Sequence, residues 1–164
     1  MIKKTYPITE QLIINALKLA QQLHQELHRE ADALKKTQQA ELINNIAANK
    51  KQLVVQLEQF NAQLTQVLAT EKLPNNQESI REYFKRAETA GLLTAESMGN
   101  WTQLMIVCAE CRNLNEQNGA GIDLLSRHTK RSLDILKGKP EFANTYGSDG
   151  STQSDRHTHT LISV

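Results

Sequence analysis

The positions of proline and glycine constrain the fold of this chain more than any other feature of its sequence. Proline occurs only at positions 7, 74 and 140, and the first glycine is Gly91. Because these residues are the main helix breakers, their scarcity divides the chain into long uninterrupted blocks. The 164 residues, 39% of them hydrophobic, are enough for one domain with one core. The blocks predict an all-α fold.

Two of these blocks carry apolar residues at helical spacing. In the first, Thr9 is a candidate N-cap, and the stripe after it predicts a helix from about residue 9 to 35. The members of this stripe recur every three or four positions: Leu12, Ala16, Leu19, Leu23, Leu27, Ala31 and Leu34. A second stripe predicts a helix that ends near Lys72. Its members are Leu42, Ile46, Leu53, Leu57, Phe60, Leu64 and Val67.

The connection between these two helices is a polar patch at residues 35–39. One very long helix through Thr37 is an alternative, but such a helix has no way to fold back and cover its own apolar stripe. An antiparallel hairpin covers both stripes at once. We therefore expect a hairpin with its turn in the patch.

Two further helices are predicted after the hairpin. Asn75 or Asn76 is placed to cap a short helix that ends at Gly91, and Thr94 is placed to cap a last helix over about 95–137. The seam of the last helix alternates steps of three and four: Trp101, Leu104, Cys108, Cys111, Asn115, Asn118, Ile122, Leu125, Thr129, Ser132 and Leu136. The expected architecture is an elongated antiparallel hairpin plus a long C-terminal helix, roughly 40 to 60 Å long at about 1.5 Å per residue.

The residues after Gly138 have a different composition, rich in Ser, Thr, Gly, Asp and His, with no helical period. Ordering them costs about 1 to 2 kcal/mol of backbone entropy per residue. Their five larger apolar side chains return only about 1.5 to 3 kcal/mol each when fully buried. We therefore expect a helical domain at residues 1–138 and a disordered tail at 139–164, mobile unless something outside the domain holds it.

Charge and hydropathy exclude several classes of function. The chain has 19 basic and 18 acidic residues, a net charge of +1, which is not typical of proteins that bind nucleic acid or membrane surfaces. No run approaches the roughly 18 apolar residues of a membrane-spanning helix, and no secretory signal is evident. Two cysteines fit a reducing compartment. These features predict a soluble cytoplasmic protein.

Two motifs resemble catalytic or metal-binding signatures without satisfying them. CAEC, from Cys108 to Cys111, lacks a second cysteine pair and a βαβ context, and both cysteines fall on the apolar stripe, so we interpret them as core residues. HQELH, from His24 to His28, lacks the glutamate that a zincin helix carries directly after its first histidine. We expect no enzyme activity, no metal site and no cofactor.

The apolar stripe of the last helix is the remaining candidate for function. This helix is longer than the other two need for cover, so its C-terminal half is expected to expose apolar residues, among them Ile122, Leu125, Leu133 and Leu136. Such a stripe closes the bundle, joins two copies of the chain, or binds an amphipathic segment of a partner. Spacing alone favours closure of the bundle and leaves self-association and partner binding as alternatives.

Several runs in the C-terminal third together resemble one family. LNEQNG (114–119), GIDLLSRHTKRSLDILKG (121–138) and YGSDGST (146–152), followed by LISV at 161–164, are similar to the FlgN family of flagellar export chaperones. This resemblance covers about residues 113–164.

The resemblance is weaker elsewhere. ANKKQLVVQLEQF (48–60) is similar to the family's Lys-x-x-Leu helix only loosely, and residues 72–100 have no counterpart that we recognise. Ala120 and Gly121 follow the Asn-Gly pair, where the family often has a bulkier residue. The contact that family members make with a client protein at this point is therefore expected to be looser or displaced in this chain.

The resemblance implies a function. It implies binding of hook-filament junction proteins in the cytoplasm, protection of their terminal helices from premature association, and delivery to the flagellar type III export apparatus. Carried onto this chain, the client's C-terminal helix binds the last helix, and Tyr146 anchors the cytoplasmic domain of the export gate. The implied client-binding residues are Leu114, Asn115, Asn118, Gly119, Ile122, Leu125, Leu133 and Leu136. The competing hypothesis is a self-associating helical bundle with a structural or adaptor role.

Overall fold

Four helices make up the part of the chain that the structure describes. They are α1 (Ile2–Leu34), α2 (Ala40–Thr70), α3 (Gln77–Thr89) and α4 (Ala95–Leu136). The structure, a computed structural model, describes residues 1–36 and 40–136 together with Ile162 and Val164, with the side chains of α4 described as far as Ile122. No strand occurs in these ranges. The predicted all-α fold of three long helices and one shorter helix is confirmed.

The first helix begins before Thr9, its predicted N-cap, and includes Pro7, which removes one backbone hydrogen bond. Tertiary contacts hold these early turns in place. The buried Tyr6 hydroxyl donates to the Leu93 carbonyl at 2.8 Å. Thr9 is buried inside the helix, and its hydroxyl donates to the Thr5 carbonyl at 3.1 Å. The predicted start was wrong because packing against the other helices extends α1 past a local cap signal.

α1 and α2 form the predicted antiparallel hairpin. At one end Thr5 Oγ1 donates to Glu71 Oε1 at 2.7 Å, and at the other end Lys50 Nζ donates to Glu30 Oε1 at 2.9 Å. The start of each helix therefore lies beside the end of the other. One continuous helix is excluded, and residues 37–39 of the connection lie outside the described part.

The helix ends follow the predicted stop signals closely. α2 ends two residues before Lys72, whose backbone is left-handed with a φ of 58°. Of the two candidate caps for α3, Asn76 rather than Asn75 is used, and its Oδ1 accepts a hydrogen bond from the Ser79 amide at 2.8 Å. Gly91 follows α3 with a φ of 82°, the conformation that favours glycine after a helix.

α4 runs beside α1 in the same direction. Three side-chain contacts have the same offset in sequence: Tyr6 to Ser97, Cys111 to Ala20 and Asn118 to Leu27. A constant offset along two helices means that they are parallel. α1 is therefore the central helix, with α2 and α4 packed against it, and α3 connects α2 to α4 beside the start of α1, where Tyr83 contacts Thr5. None of the described helices is both long enough and apolar enough to cross a membrane.

The hydrophobic core follows the inner face of α1. Ala16 and Ala20 have no exposed surface, and Cys111 Sγ of α4 lies 3.6 Å from the Ala20 carbonyl. The small residues let the two helices approach closely. The interpretation of Cys108 and Cys111 as core residues is confirmed. The larger core residues include Ile13, Leu23, Leu27, Leu57, Phe60, Leu64, Leu68 and Leu104.

Two residues of the predicted tail lie against these helices. Ile162 is only 5% exposed and belongs to the core, and Val164 packs against that core. These two contacts do not test the flexible tail over residues 139–164, which stays a prediction. Docking Ile162 and Val164 costs the backbone entropy of a few positions rather than of the whole tail. The predicted domain boundary after Gly138 and the rest of the tail lie outside the described residues.

Candidate functional site

The client-binding residues predicted from the sequence begin on the turns of α4 that lie beside the end of α1. Leu114 is half-buried against the core, and Asn118 is buried. Asn115, Gly119 and Ile122 are exposed or partly exposed. The remaining predicted residues lie outside what the structure describes, which for the first three means their side chains: Leu125, Leu133, Leu136 and Tyr146.

Asn118 connects α4 to α1. Its side-chain nitrogen donates to the backbone carbonyl of Leu27 at 2.8 Å and lies 3.0 Å from Glu30 Oε1. A buried amide left without these acceptors costs free energy. A shift of α4 along α1 by one turn breaks both bonds, so Asn118 determines the register of the two helices.

A cluster of four polar residues connects all three long helices. Glu30 of α1 is 1% exposed, and its Oε1 accepts hydrogen bonds from Lys50 Nζ of α2 at 2.9 Å and from Asn118 of α4. Lys50 Nζ also donates to Asn115 Oδ1 of α4 at 3.2 Å. We call Glu30, Lys50, Asn115 and Asn118 the polar cluster. A buried carboxylate is stable only when it is paired in this way.

The two asparagines of the polar cluster could be predicted from the sequence, but its charged pair could not. Glu30 lies three residues after Leu27, on the apolar stripe of α1, where a charged residue is unusual. That position was the signal that could have identified it. Lys50 has no comparable signal, because its partner is 20 residues away in sequence.

Of the three glycines inside α4, Gly119 and Gly121 lie where α1 ends. A Cβ added at Gly119 meets no atom, and one added at Gly121 lies at an ordinary 3.5 Å from Leu34, the last residue of α1. Neither glycine is needed for close packing in the described part of the chain. Each costs about 1 kcal/mol of helix stability relative to alanine. α4 is thus intrinsically weak at the point where its contact with α1 ends, and it continues to Leu136.

An apolar groove of about 390 Å³ lies between α2 and α4, with α1 as its floor. Leu23 and Leu27 of α1 form the floor, and Val54 and Val55 belong to the α2 wall. Asn115 lies on the α4 side, so the groove adjoins the polar cluster. We call this the α2–α4 groove. Sequence analysis did not predict it, because it depends on the relative placement of three helices.

A second groove, of about 460 Å³, lies between α3 and α4. Phe84 of α3 and Met98, Trp101 and Met105 of α4 supply its apolar lining. Flexible methionines and aromatic rings are common at surfaces that bind other proteins. This groove is a second apolar surface that sequence analysis did not identify.

The two cysteines of α4 have the properties of core thiols. Burial raises the pKa of Cys108 to about 11 and that of Cys111 to about 12. At neutral pH both are therefore protonated, whereas a thiol that attacks a substrate or binds metal reacts as the thiolate. His24 of HQELH instead lies at the surface, where its Nε2 is 3.1 Å from Glu110 Oε2. No group of three or more His, Cys, Asp or Glu that could hold a metal occurs among the described residues.

Alkylation of the folded chain by iodoacetamide at pH 8 should be at least about 100-fold slower than alkylation of the chain unfolded in urea, because the raised pKa values reduce the thiolate fraction and burial blocks access. Mass spectrometry over time measures both rates. Since the folded thiols hold their protons more tightly than unfolded ones, stability should also fall as the pH rises above 9. Equal rates in the folded and unfolded chain would contradict this assignment.

The structure belongs to a class of elongated helical modules. Its long helices, its apolar grooves and its polar cluster suit the binding of helices from other proteins. The sequence matches the protein family described as FlgN protein over residues 5–154. The chain therefore belongs to the FlgN family and is a flagellar export chaperone. The match includes residues 72–100, for which we recognised no counterpart. No curated protein and no solved structure matches the chain.

Proposed function

We propose that this chain is a cytoplasmic chaperone for hook-filament junction proteins. It binds their C-terminal amphipathic helices, prevents their premature association, and delivers them to the type III export gate. This proposal rests on the apolar surface that α4 exposes beside the end of α1. There α4 exposes Ile122, an apolar residue, beside a glycine-weakened turn, and it continues to Leu136. An amphipathic helix of a client supplies the missing apolar partner.

The proposed client site combines two kinds of residue. Asn115 and Asn118 hold α4 in register through the polar cluster, so their effect on the client is largely one of positioning. Leu114 and Ile122 supply apolar contact, and Gly119 leaves room for close approach. On the continuation of α4, further apolar contact comes from residues at helical spacing: Leu125, Leu133 and Leu136.

We propose that the helical domain, residues 1–138, binds the client, whereas the residues after it bind the export gate. Tyr146 in the second part is the proposed anchor for the cytoplasmic domain of the export gate. A single aromatic residue gives a recognisable contact of low affinity, which suits a transient transfer. Family membership supports this proposal, since the match extends past Tyr146 to residue 154.

Size-exclusion chromatography tests client binding directly. The chain and a hook-filament junction protein, mixed at micromolar concentration, are expected to elute together, whereas a junction protein without its C-terminal helix should elute alone. Separate elution of the intact client would count heavily against the proposal. Sedimentation equilibrium of the chain alone tests the self-association hypothesis, because a tight dimer that covers α4 is incompatible with simple client capture.

Replacing Tyr146 with alanine should leave client binding unchanged and weaken capture of the chaperone–client complex by the export gate's cytoplasmic domain by at least about 10-fold, the usual effect of removing an aromatic contact. Pull-down on the immobilised gate domain measures the second property, and co-elution measures the first. Phe142→Ala removes another aromatic ring from the same part of the chain and is the matched control, which should change neither property. Loss of both properties in the Tyr146 variant, or of neither, would show that the proposed role of Tyr146 is wrong.

A further inference from the structure

Ile162 and Val164 belong to the LISV segment, residues 161–164, which lies beyond the end of the family match. The backbone carbonyl of Ile162 accepts a hydrogen bond from Asn61 Nδ2 of α2 at 3.1 Å. Asn61 is more than nine-tenths buried, and its Oδ1 has no hydrogen-bond partner in the described part of the chain. A buried amide in an apolar wall is costly unless it is bonded. Its bond to a peptide carbonyl therefore makes this position a specific contact for a docked segment.

Two residues of the LISV segment contact the helices, Ile162 at Asn61 and Val164 at the α2–α4 groove. Val164 lines the groove together with Leu27 of α1 and with Val54 and Val55, which lie about two turns before Asn61 on α2. The contacts of Ile162 and Val164 thus follow α2 from Asn61 toward the polar cluster. About 390 Å³ of space remains in the groove, and Val55 is still 44% exposed. The LISV segment covers only part of this apolar surface.

We propose that the α2–α4 groove is a docking surface for the apolar face of the client helix, and that the LISV segment is an internal competitor which the client displaces. This inference rests on the proposed chaperone function. The groove lies beside Asn115 of α4, so a helix bound to α4 near Gly119 extends into it without leaving the surface. A largely apolar groove beside two helices is the kind of surface that binds the apolar face of an amphipathic helix.

A client helix is expected to displace the LISV segment from the groove. Two anchored side chains make a weak contact, whereas an amphipathic helix presents an apolar residue every three or four positions over several turns. Despite its low affinity, the LISV segment competes with a client, because it belongs to the same chain and is present at an effective concentration on the order of millimolar. Client affinity is then reduced by the fraction of chains in which the groove is open. Between clients the groove is thus partly covered, and a client that binds there displaces this cover.

Deletion of residues 161–164 should tighten binding of a synthetic client helix by about 10-fold, since every groove is then open. The probe is a labelled peptide with the C-terminal helix sequence of a hook-filament junction protein, and fluorescence anisotropy measures its dissociation constant. Ile162→Asp keeps the chain length and should act in the same direction. Ile106→Asp, at an exposed position on α4, is the control and should have no effect. Circular dichroism verifies that each variant is folded.

A second peptide, with the sequence of residues 157–164, separates this inference from the proposed function. It should bind the deletion variant, compete with the client peptide, and bind the full chain at least about 10-fold more weakly. Unchanged or weaker client binding after deletion, or no binding of the second peptide, would overturn the inference. If the second peptide binds the deletion variant but the client peptide binds neither form, the proposed function fails while the groove remains the site of the LISV segment. If the full chain is a dimer and the deletion variant is a monomer, the segment docks on a second copy of the chain. That result would overturn the inference of competition within one chain.

Discussion

Replacing Lys50 with methionine should lower the free energy of unfolding by about 3 kcal/mol, because it leaves the buried Glu30 carboxylate without its cation. Glu30 is 1% exposed, and Lys50 Nζ donates to its Oε1 at 2.9 Å. Removing one partner of a buried ion pair typically costs about 3 to 5 kcal/mol. The lower end of that range applies here because the Lys50 side chain is 17% exposed and Asn118 still donates to Glu30. Urea denaturation followed by circular dichroism measures the change.

Two variants show whether the loss comes from the ion pair. Lys51→Met changes the exposed neighbouring lysine of α2 in the same way and should alter stability by less than about 0.5 kcal/mol. Combining Lys50→Met with Glu30→Leu removes both charges and should restore most of the lost stability, as replacement of a buried ion pair by apolar residues often does. A cost for Lys50→Met no larger than that for Lys51→Met would mean that Glu30 does not depend on this contact.

Local signals were enough to predict the helices. Local signals placed the end of α2 near Lys72, the cap of α3 at Asn75 or Asn76 and its stop at Gly91, because each acts through backbone geometry within a few residues. The hairpin followed from the need to cover two apolar stripes. The start of α1 did not follow, since Tyr6 and Thr9 are held by bonds to residues far along the chain.

Contacts between distant parts of the chain account for most of what the sequence could not predict. The parallel course of α1 and α4 depends on bonds such as Asn118 to Leu27, 91 residues apart. The docking of Ile162 depends on Asn61, 101 residues away. Periodicity contains no information about such pairs. The asparagines of α4 were recognised as seam residues, but their partners were identified only once the helices were placed.

The candidate site could be predicted only in part, because some of it follows from local sequence signals and the rest depends on contacts between distant residues. The family was recognised from short runs near the end of the chain, and the match over residues 5–154 confirms it. The client-binding residues remain predictions. Among them the structure distinguishes a buried residue that holds α4 in place, Asn118, from an exposed apolar one, Ile122. That distinction determines which substitution tests client contact without disturbing the fold.

Replacing Ile122 with aspartate should weaken client binding by at least about 30-fold, the effect of losing an interface residue worth about 2 kcal/mol, while leaving stability within about 0.5 kcal/mol. Ile122 is 37% exposed, so the folded chain tolerates a charge there. In a complex the same charge faces the apolar side of the client helix, where its desolvation has no compensating partner. Fluorescence anisotropy with a labelled client helix measures the dissociation constant.

Ile106 is the matched control for this substitution. It is also an exposed isoleucine of α4, at 47%, but 16 positions at about 100° each place it roughly 160° around the helix from Ile122. Ile106→Asp should therefore bind the client as the unmodified chain does. Equal losses for both variants would mean that a charge on α4 acts through the helix as a whole. Loss at Ile106 alone would move the client site to the opposite face of α4, whereas loss at Ile122 alone places it where α4 passes the end of α1.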